Sequence, residues 1–148
     1  TTLGTHPVRY AWSDEGFFIV FQNADAGVVT CSFDGKNGKN AFAAFADRTV
    51  EFTARRKMVT FHFFRRLVKD NAVTYNKDRW HTNSAIERTE THTIVFIPWH
   101  DMGFLPFSGR IMGFSAFVLD TDESVSAGWP ADAARFMPGS WGNLRLVE

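Results

Sequence analysis

The sequence predicts an all-β fold: an antiparallel β-sandwich, immunoglobulin-like or jelly-roll-like, of about nine or more strands with minimal helix. Three observations carry this. Short segments alternate apolar and polar residues, the period of a half-buried strand. Polar clusters rich in Gly, Asn and Asp separate them at close intervals, the spacing of turns in an all-β domain. The one helix-favouring stretch, "AFAAFAD" at 41–47, is too short to stand as a helix by itself.

The elements follow in order. "HPVRYAWS" places Val8, Tyr10 and Trp12 on one face of a strand. "SDEG" at 13–16 is a turn in which Gly16 is free to take positive φ. "FFIVFQ" at 17–22 is apolar throughout, as in a strand covered on both faces. After the turn "NADAG" at 23–27 comes "VVTCSF" at 28–33, then the polar glycine loop "DGKNGKN" at 34–40. "TVEFTAR" at 49–55 alternates, and "KMVTFHFFRRLV" at 57–68 puts Met58, Thr60, His62 and Phe64 on one face.

"KDNA" at 69–72 reads as a turn, and strands are predicted over 79–88 and 91–98. Pro98 ends the second because it has no N–H for a ladder. "WHDMGF" suits one helical turn, 110–120 is a strand, and 121–140 reads as one long loop. "PGSWGNLRLVE" closes the chain with a strand that pairs inside a sheet. Trp12, Trp99 and Trp141 read as core residues, with Gly142 letting the backbone approach Trp141.

The 148 residues suit one domain over 1–148, expected as a module of a larger protein. Sixteen Lys and Arg balance sixteen Asp and Glu. That balance argues against a nucleic-acid binder, which carries a basic excess. No run approaches 18 apolar residues, so no transmembrane helix and no membrane partner are expected. No signal peptide is visible, and the chain begins at Thr1, as expected of a processed or excised segment. The single cysteine, Cys31, rules out an intrachain disulfide and a cysteine zinc site. The sixteen Phe and five Trp exceed the needs of a small core, which points either to a thick core or to aromatic surface used for binding. Nucleophile-elbow, zinc-protease and phosphate-loop motifs are all missing, and no spacing selects a glycosidase carboxylate pair.

Several segments resemble, in the right order, the pattern of carbohydrate-binding module family 9, which shares its sandwich with the wider DOMON-like superfamily. They are "VRYAWSDEGFFIVFQ", "TVEF" at 49–52, "HTIVFIPW" at 92–99, "IMGFSAFVLD" at 111–120, "SAGW" at 126–129 and the closing "PGSWGNLRLVE". Together they span roughly residues 7 to 148. The family's opening Asp-Gly turn leading to a Trp has no counterpart here.

The resemblance implies a non-catalytic module that binds an oligosaccharide or polysaccharide, covalently linked to a glycan-degrading catalytic domain, secreted or periplasmic, with no required cofactor. Family members clamp a sugar between two aromatic rings and bind its hydroxyls with polar side chains. The family glutamate is kept as Glu51. The tryptophan six residues earlier falls on Phe45, the mid-strand basic residue near His62, the second clamp tryptophan near Arg135 or Phe136, and the amide after Gly-Phe on Phe117. Calcium, bound by some relatives, would find oxygens at Asp120 and Asp122 in "DTDE".

From the residues themselves, Glu51 is an acceptor-only carboxylate able to grip two vicinal hydroxyls, or a solvent-facing strand residue. His62 either joins it or packs at an edge. Trp80 and Trp129, at loop positions, are the stacking candidates; packing in the core or pinning a loop is their other use. Two other functions stay open. One is a structural sandwich that docks on a catalytic domain. The other is a haem-binding electron-transfer domain of DOMON type, drawing on Met58, Met102, Met112, Met137 and five histidines.

Overall fold

The fold is taken from a computed structural model. It describes residues 2–3, 6–22, 28–41, 43, 47–53, 58–69, 72–80, 82–120 and 124–148; at 2–3, 6–7, 22, 53, 58–69 and 72–80 it describes the backbone alone. The described residues form twelve strands: β1 (Thr2–Leu3), β2 (His6–Trp12), β3 (Gly16–Gln22), β4 (Val28–Asp34), β5 (Arg48–Thr53), β6 (Met58–Lys69), β7 (Ala72–Trp80), β8 (Ala85–Arg88), β9 (His92–Pro98), β10 (Ile111–Leu119), β11 (Val125–Trp129) and β12 (Gly142–Arg145). One helical turn, α1 (Trp99–Met102), and a 3-10 turn over Pro138–Ser140 complete them.

Two antiparallel sheets result. One has five strands in the order β1-β2-β3-β9-β8. The other has seven, in the order β11-β10-β4-β5-β6-β7, with β12 also on β10. β11 and β12 lie end to end along one edge of β10: Ala116 pairs with Trp129, and Phe114 with Gly142. The closing strand is tied down by this pairing and by Trp12, whose indole N–H donates to the Val147 carbonyl at 2.7 Å.

The core lies between the sheets. Val8, Phe17, Ile19, Phe21, Val95 and Ile97 come from the smaller sheet, and Val29, Cys31, Phe33, Val50, Phe52, Met112, Phe114 and Ala116 from the larger. In β3, β4, β5 and β9 alternate residues point inward, as the pleat demands. The aromatic excess is largely absorbed here: Phe17 meets Phe33 edge-on at 5.9 Å, and Phe114 lies 5.2 Å from Phe33. Met102 and Met112 are also interior.

Four details differ from the sequence expectation. The 121–140 segment contains β11, because the free edge of β10 supplies pairing that Ser126, Ala127 and Gly128 do not advertise. The single strand expected over 79–88 is broken between β7 and β8, which belong to different sheets. β7 fills a stretch that carried no clear strand pattern, paired along its length with β6. Gly16 is required for space rather than for φ: a Cβ there would stand 2.4 Å from Cε2 of Phe96. Trp99 and Trp141 are buried as expected, while Trp12 is half-buried.

Candidate functional site

The outer face of the seven-stranded sheet carries an uncommon set of residues. β4 sends Val29, Cys31 and Phe33 into the core and so turns Thr30, Ser32 and Asp34 outward, yet all three are buried. The register extends this polar face sideways. Ser32 pairs with Thr49 on β5 and with Ser115 on β10, both buried. Ser32 Oγ donates to Thr49 Oγ1 at 3.1 Å, and the Thr49 hydroxyl donates to the Cys31 carbonyl at 3.2 Å. Ser115 Oγ makes no hydrogen bond among the described residues. One register step away, Thr30 pairs with Glu51, which pairs in turn with Thr60. Glu51 alternates with the core residues Val50 and Phe52, so it lies on this outer face, half-buried.

Two loops border the face. After β4 the chain folds back so that the Lys39 N–H donates to Asp34 Oδ2 at 2.9 Å. The Lys39 ammonium donates to the Trp141 and Gly142 carbonyls. Burial lowers its pKa, and the Asp34 charge partly offsets that. The loop between β11 and β12 is bonded to the first: Ala43 N–H donates to Phe136 O, and Gly139 N–H to Asn40 O, both at 2.8 Å. Trp141 pins this second loop from below, its indole N–H donating to Ala134 O at 2.9 Å while its ring packs with Ala43, Ala133 and Phe136. Arg135 holds its guanidinium 5.3 Å from the Phe136 ring centroid, and both are half-buried.

The residues singled out from sequence fall into distinct places. Glu51 lies on the polar outer face, and Arg135 and Phe136 on a bordering loop. His62 pairs with Thr49, two residues along β6 from the Thr60 partner of Glu51, a register position on the Glu51 side. Trp129 is not brought to Glu51. It pairs with Ala116 and packs against the core, 5.8 Å from Phe114 and over Gly142. The ring that Gly142 admits is therefore Trp129, not Trp141.

Trp80 pairs with Phe61, which pairs with Val50; its register position is in the core-side row that ends at Trp129. Phe45 and Asp122 lie outside the described residues. Asp120 is exposed, its N–H donating to Ser124 O at 2.9 Å. Phe117 is buried beneath Gly128, where an added Cβ would stand 3.1 Å from its ring.

The buried hydroxyl row of Ser32, Thr49 and Ser115 was not singled out from sequence. "VVTCSFD" alternates apolar with polar residues as a half-exposed strand would, yet from Val29 to Asp34 every residue is buried. A separate cleft of about 440 Å³, lined by Tyr10, Trp12, Phe17, Leu144, Leu146 and Val147, opens beside the closing strand. None of the sequence-selected ligand residues lines it.

No family model matches the sequence, and no curated protein matches it. Solved structures do. A carbohydrate binding module family 9 protein from Caldicellulosiruptor kristjanssonii, in complex with cellotriose, superposes with a TM-score of 0.62 at 13% identity, covering 96% of this chain and 74% of that one. A family 9 module from the same organism in complex with glucose gives 0.60 at 13% identity, covering 95% and 75%. The class is thus a β-sandwich of the family 9 kind. The likeness is one of fold.

Proposed function

We propose that this domain is a non-catalytic carbohydrate-binding module whose site is the outer face of the seven-stranded sheet at Glu51. The observation that carries the reading is the position of Glu51. It is a half-buried carboxylate on a face that also carries the buried hydroxyls of Thr30, Ser32, Thr49 and Ser115, with Arg135 and Phe136 on the loop between β11 and β12. A carboxylate there accepts two vicinal sugar hydroxyls, and the Arg135 guanidinium donates to a third oxygen. The Phe136 ring offers a flat apolar surface to the C–H face of a pyranose. The sugars bound by the two family 9 structures support an oligosaccharide ligand. Attachment to a glycan-degrading enzyme, export from the cytoplasm and calcium at Asp120 and Asp122 belong to the same proposal.

The test is calorimetric titration of gluco-oligosaccharides, then a wider glycan panel, into the domain. Weak one-site binding is expected. Glu51→Gln should reduce it about tenfold, the scale of one charge-assisted hydrogen bond. Phe136→Ala should reduce it similarly. No response to any glycan ends the proposal.

One observation favours docking on a linked catalytic domain as a second reading. Leu105 and Phe107 are 80% and 57% exposed on the loop before β10. Arg110 stands 5.3 Å from the Phe107 ring centroid and bonds the Leu105 carbonyl at 2.9 Å, which holds that apolar loop outward.

A further inference from the structure

The break between β7 and β8 brings three side chains to one point on α1. Asp101 is a carboxylate only 1% exposed, and its two oxygens are treated differently. Oδ2 accepts from the Thr82 hydroxyl at 2.6 Å and the Asn83 N–H at 3.1 Å, with Ser84 Oγ at 3.5 Å. Oδ1 accepts no hydrogen bond among the described residues. It faces Nε2 of His100 at 3.0 Å. The Asn83 carboxamide stands 3.5 Å from the same Nε2.

We propose that His100 Nε2, Asp101 Oδ1 and the Asn83 side-chain oxygen form a binding site for a divalent first-row cation of the zinc type. A buried carboxylate oxygen 3.0 Å from an imidazole nitrogen is repulsive, lone pair against lone pair, unless a hydrogen or a cation sits between them. The N–H of one imidazole tautomer does this, and so does a metal ion. The spacing suits the ion. Bonds of about 2.1 Å to each of two atoms 3.0 Å apart subtend about 90° at the metal. The 3.5 Å separation to the Asn83 amide corresponds to about 113°. A half-turn of the amide puts its oxygen, the ligating atom, in that place.

The donor set is one imidazole, one carboxylate and one carbonyl. That favours zinc, nickel or copper over calcium and magnesium, which take oxygen alone. The supports around the ligands fit as well. The Thr82 hydroxyl and the Asn83 N–H fix Asp101 through its other oxygen, as outer-shell partners of a ligating carboxylate do. Gly103, at φ 76° with its N–H bonded to the Trp99 and His100 carbonyls, closes the turn that sets His100 beside Asp101. The His100 side chain is 64% exposed, so the ion has a path from solvent and room for water ligands.

Zinc chloride titrated into the full chain at neutral pH, followed by calorimetry and by imidazole nitrogen spectra, tests the site. The expected result is one zinc per chain with a shift of the His100 Nε2 resonance. His100→Ala and Asn83→Ala, both exposed positions, should each weaken binding at least tenfold while the melting temperature without zinc stays unchanged. Asp101→Asn should abolish binding. Any of three results overturns the proposal: no zinc bound at millimolar concentration, equal affinity in His100→Ala, or spectra in which zinc leaves the His100 resonance unmoved. The last would leave the contact between His100 Nε2 and Asp101 Oδ1 as the whole role of the cluster.

Discussion

Trp129 and Gly142 meet at the edge of β10, so closely that a Cβ on Gly142 would stand 2.6 Å from Cη2 of the indole and 2.8 Å from Cζ3. The contact joins the two short strands that share this edge, since Trp129 pairs with Ala116 and Gly142 with Phe114. The same indole lies 5.8 Å from Phe114, so it is held between the core and the backbone of the closing strand. Gly142→Ala is therefore predicted to overpack the edge and cost about 1–3 kcal/mol. Urea denaturation measures this directly. Trp129→Leu in the same chain should recover part of the Gly142→Ala loss, because the clashing ring is gone. An unaltered midpoint in Gly142→Ala would show that the indole does not rest there.

A second prediction concerns the hydroxyl row under the proposed sugar site. Thr49 both accepts from Ser32 and donates to the Cys31 carbonyl, so Thr49→Val strands one buried hydroxyl and one carbonyl. A loss of about 1–3 kcal/mol is expected. Ser115 is as deeply buried but has no hydrogen bond among the described residues. Ser115→Ala removes a polar group that gains nothing from the fold, so stability should hold or rise by up to about 1 kcal/mol. The two variants differ in opposite directions on one face. Equal losses in both would mean that Ser115 is satisfied after all.

Where sequence reading worked, the information was local. "TVEFT" alternates so cleanly that Val50 and Phe52 had to face the core and Glu51 had to face away. Gly-rich turns and the proline after "TIVFI" bounded their strands for equally local reasons. What stayed illegible depended on pairing. The face of Trp129 is decided by its partner Ala116, 13 residues distant in sequence, and "SAGW" does not encode that choice.

The same holds for β8, which in sequence reads as one strand over 79–88 with the last residues of β7. Between the two sheets Thr82 and Asn83 bind Asp101, a partner 18 or 19 residues away in sequence. Buried polar residues were the hardest of all. Asp34, Asp101 and Ser115 look like surface residues until the segments around them are in place.

A third prediction is alkaline instability arising inside the core. Cys31 is fully buried, and burial pushes its thiol pKa up from the ordinary value of 9.0. Tyr10 is raised from 10.0 in the same direction, mainly by burial and secondarily by the Cys31 charge, and its hydroxyl has no hydrogen bond among the described residues. Both groups are acids whose charged form the fold disfavours. At high pH the native chain keeps protons that the unfolded chain releases, so the slope of stability against pH is negative. Stability is complete below pH 9, the ordinary thiol value, and is lost as pH rises through it and then through the ordinary phenol value toward the elevated native ones.

Urea midpoints between pH 7 and pH 11 should be level at first and then fall. Tyr10→Phe should match or exceed the parent at pH 7, since it discards a hydroxyl without a partner, and should flatten the limb above pH 10. Cys31→Ala should start lower, through the small cavity it leaves, and flatten the limb from pH 9. Maleimide should modify the native thiol far more slowly than the unfolded one. If the Tyr10→Phe, Cys31→Ala double variant loses stability as steeply as the parent, the alkaline transition originates outside this buried pair.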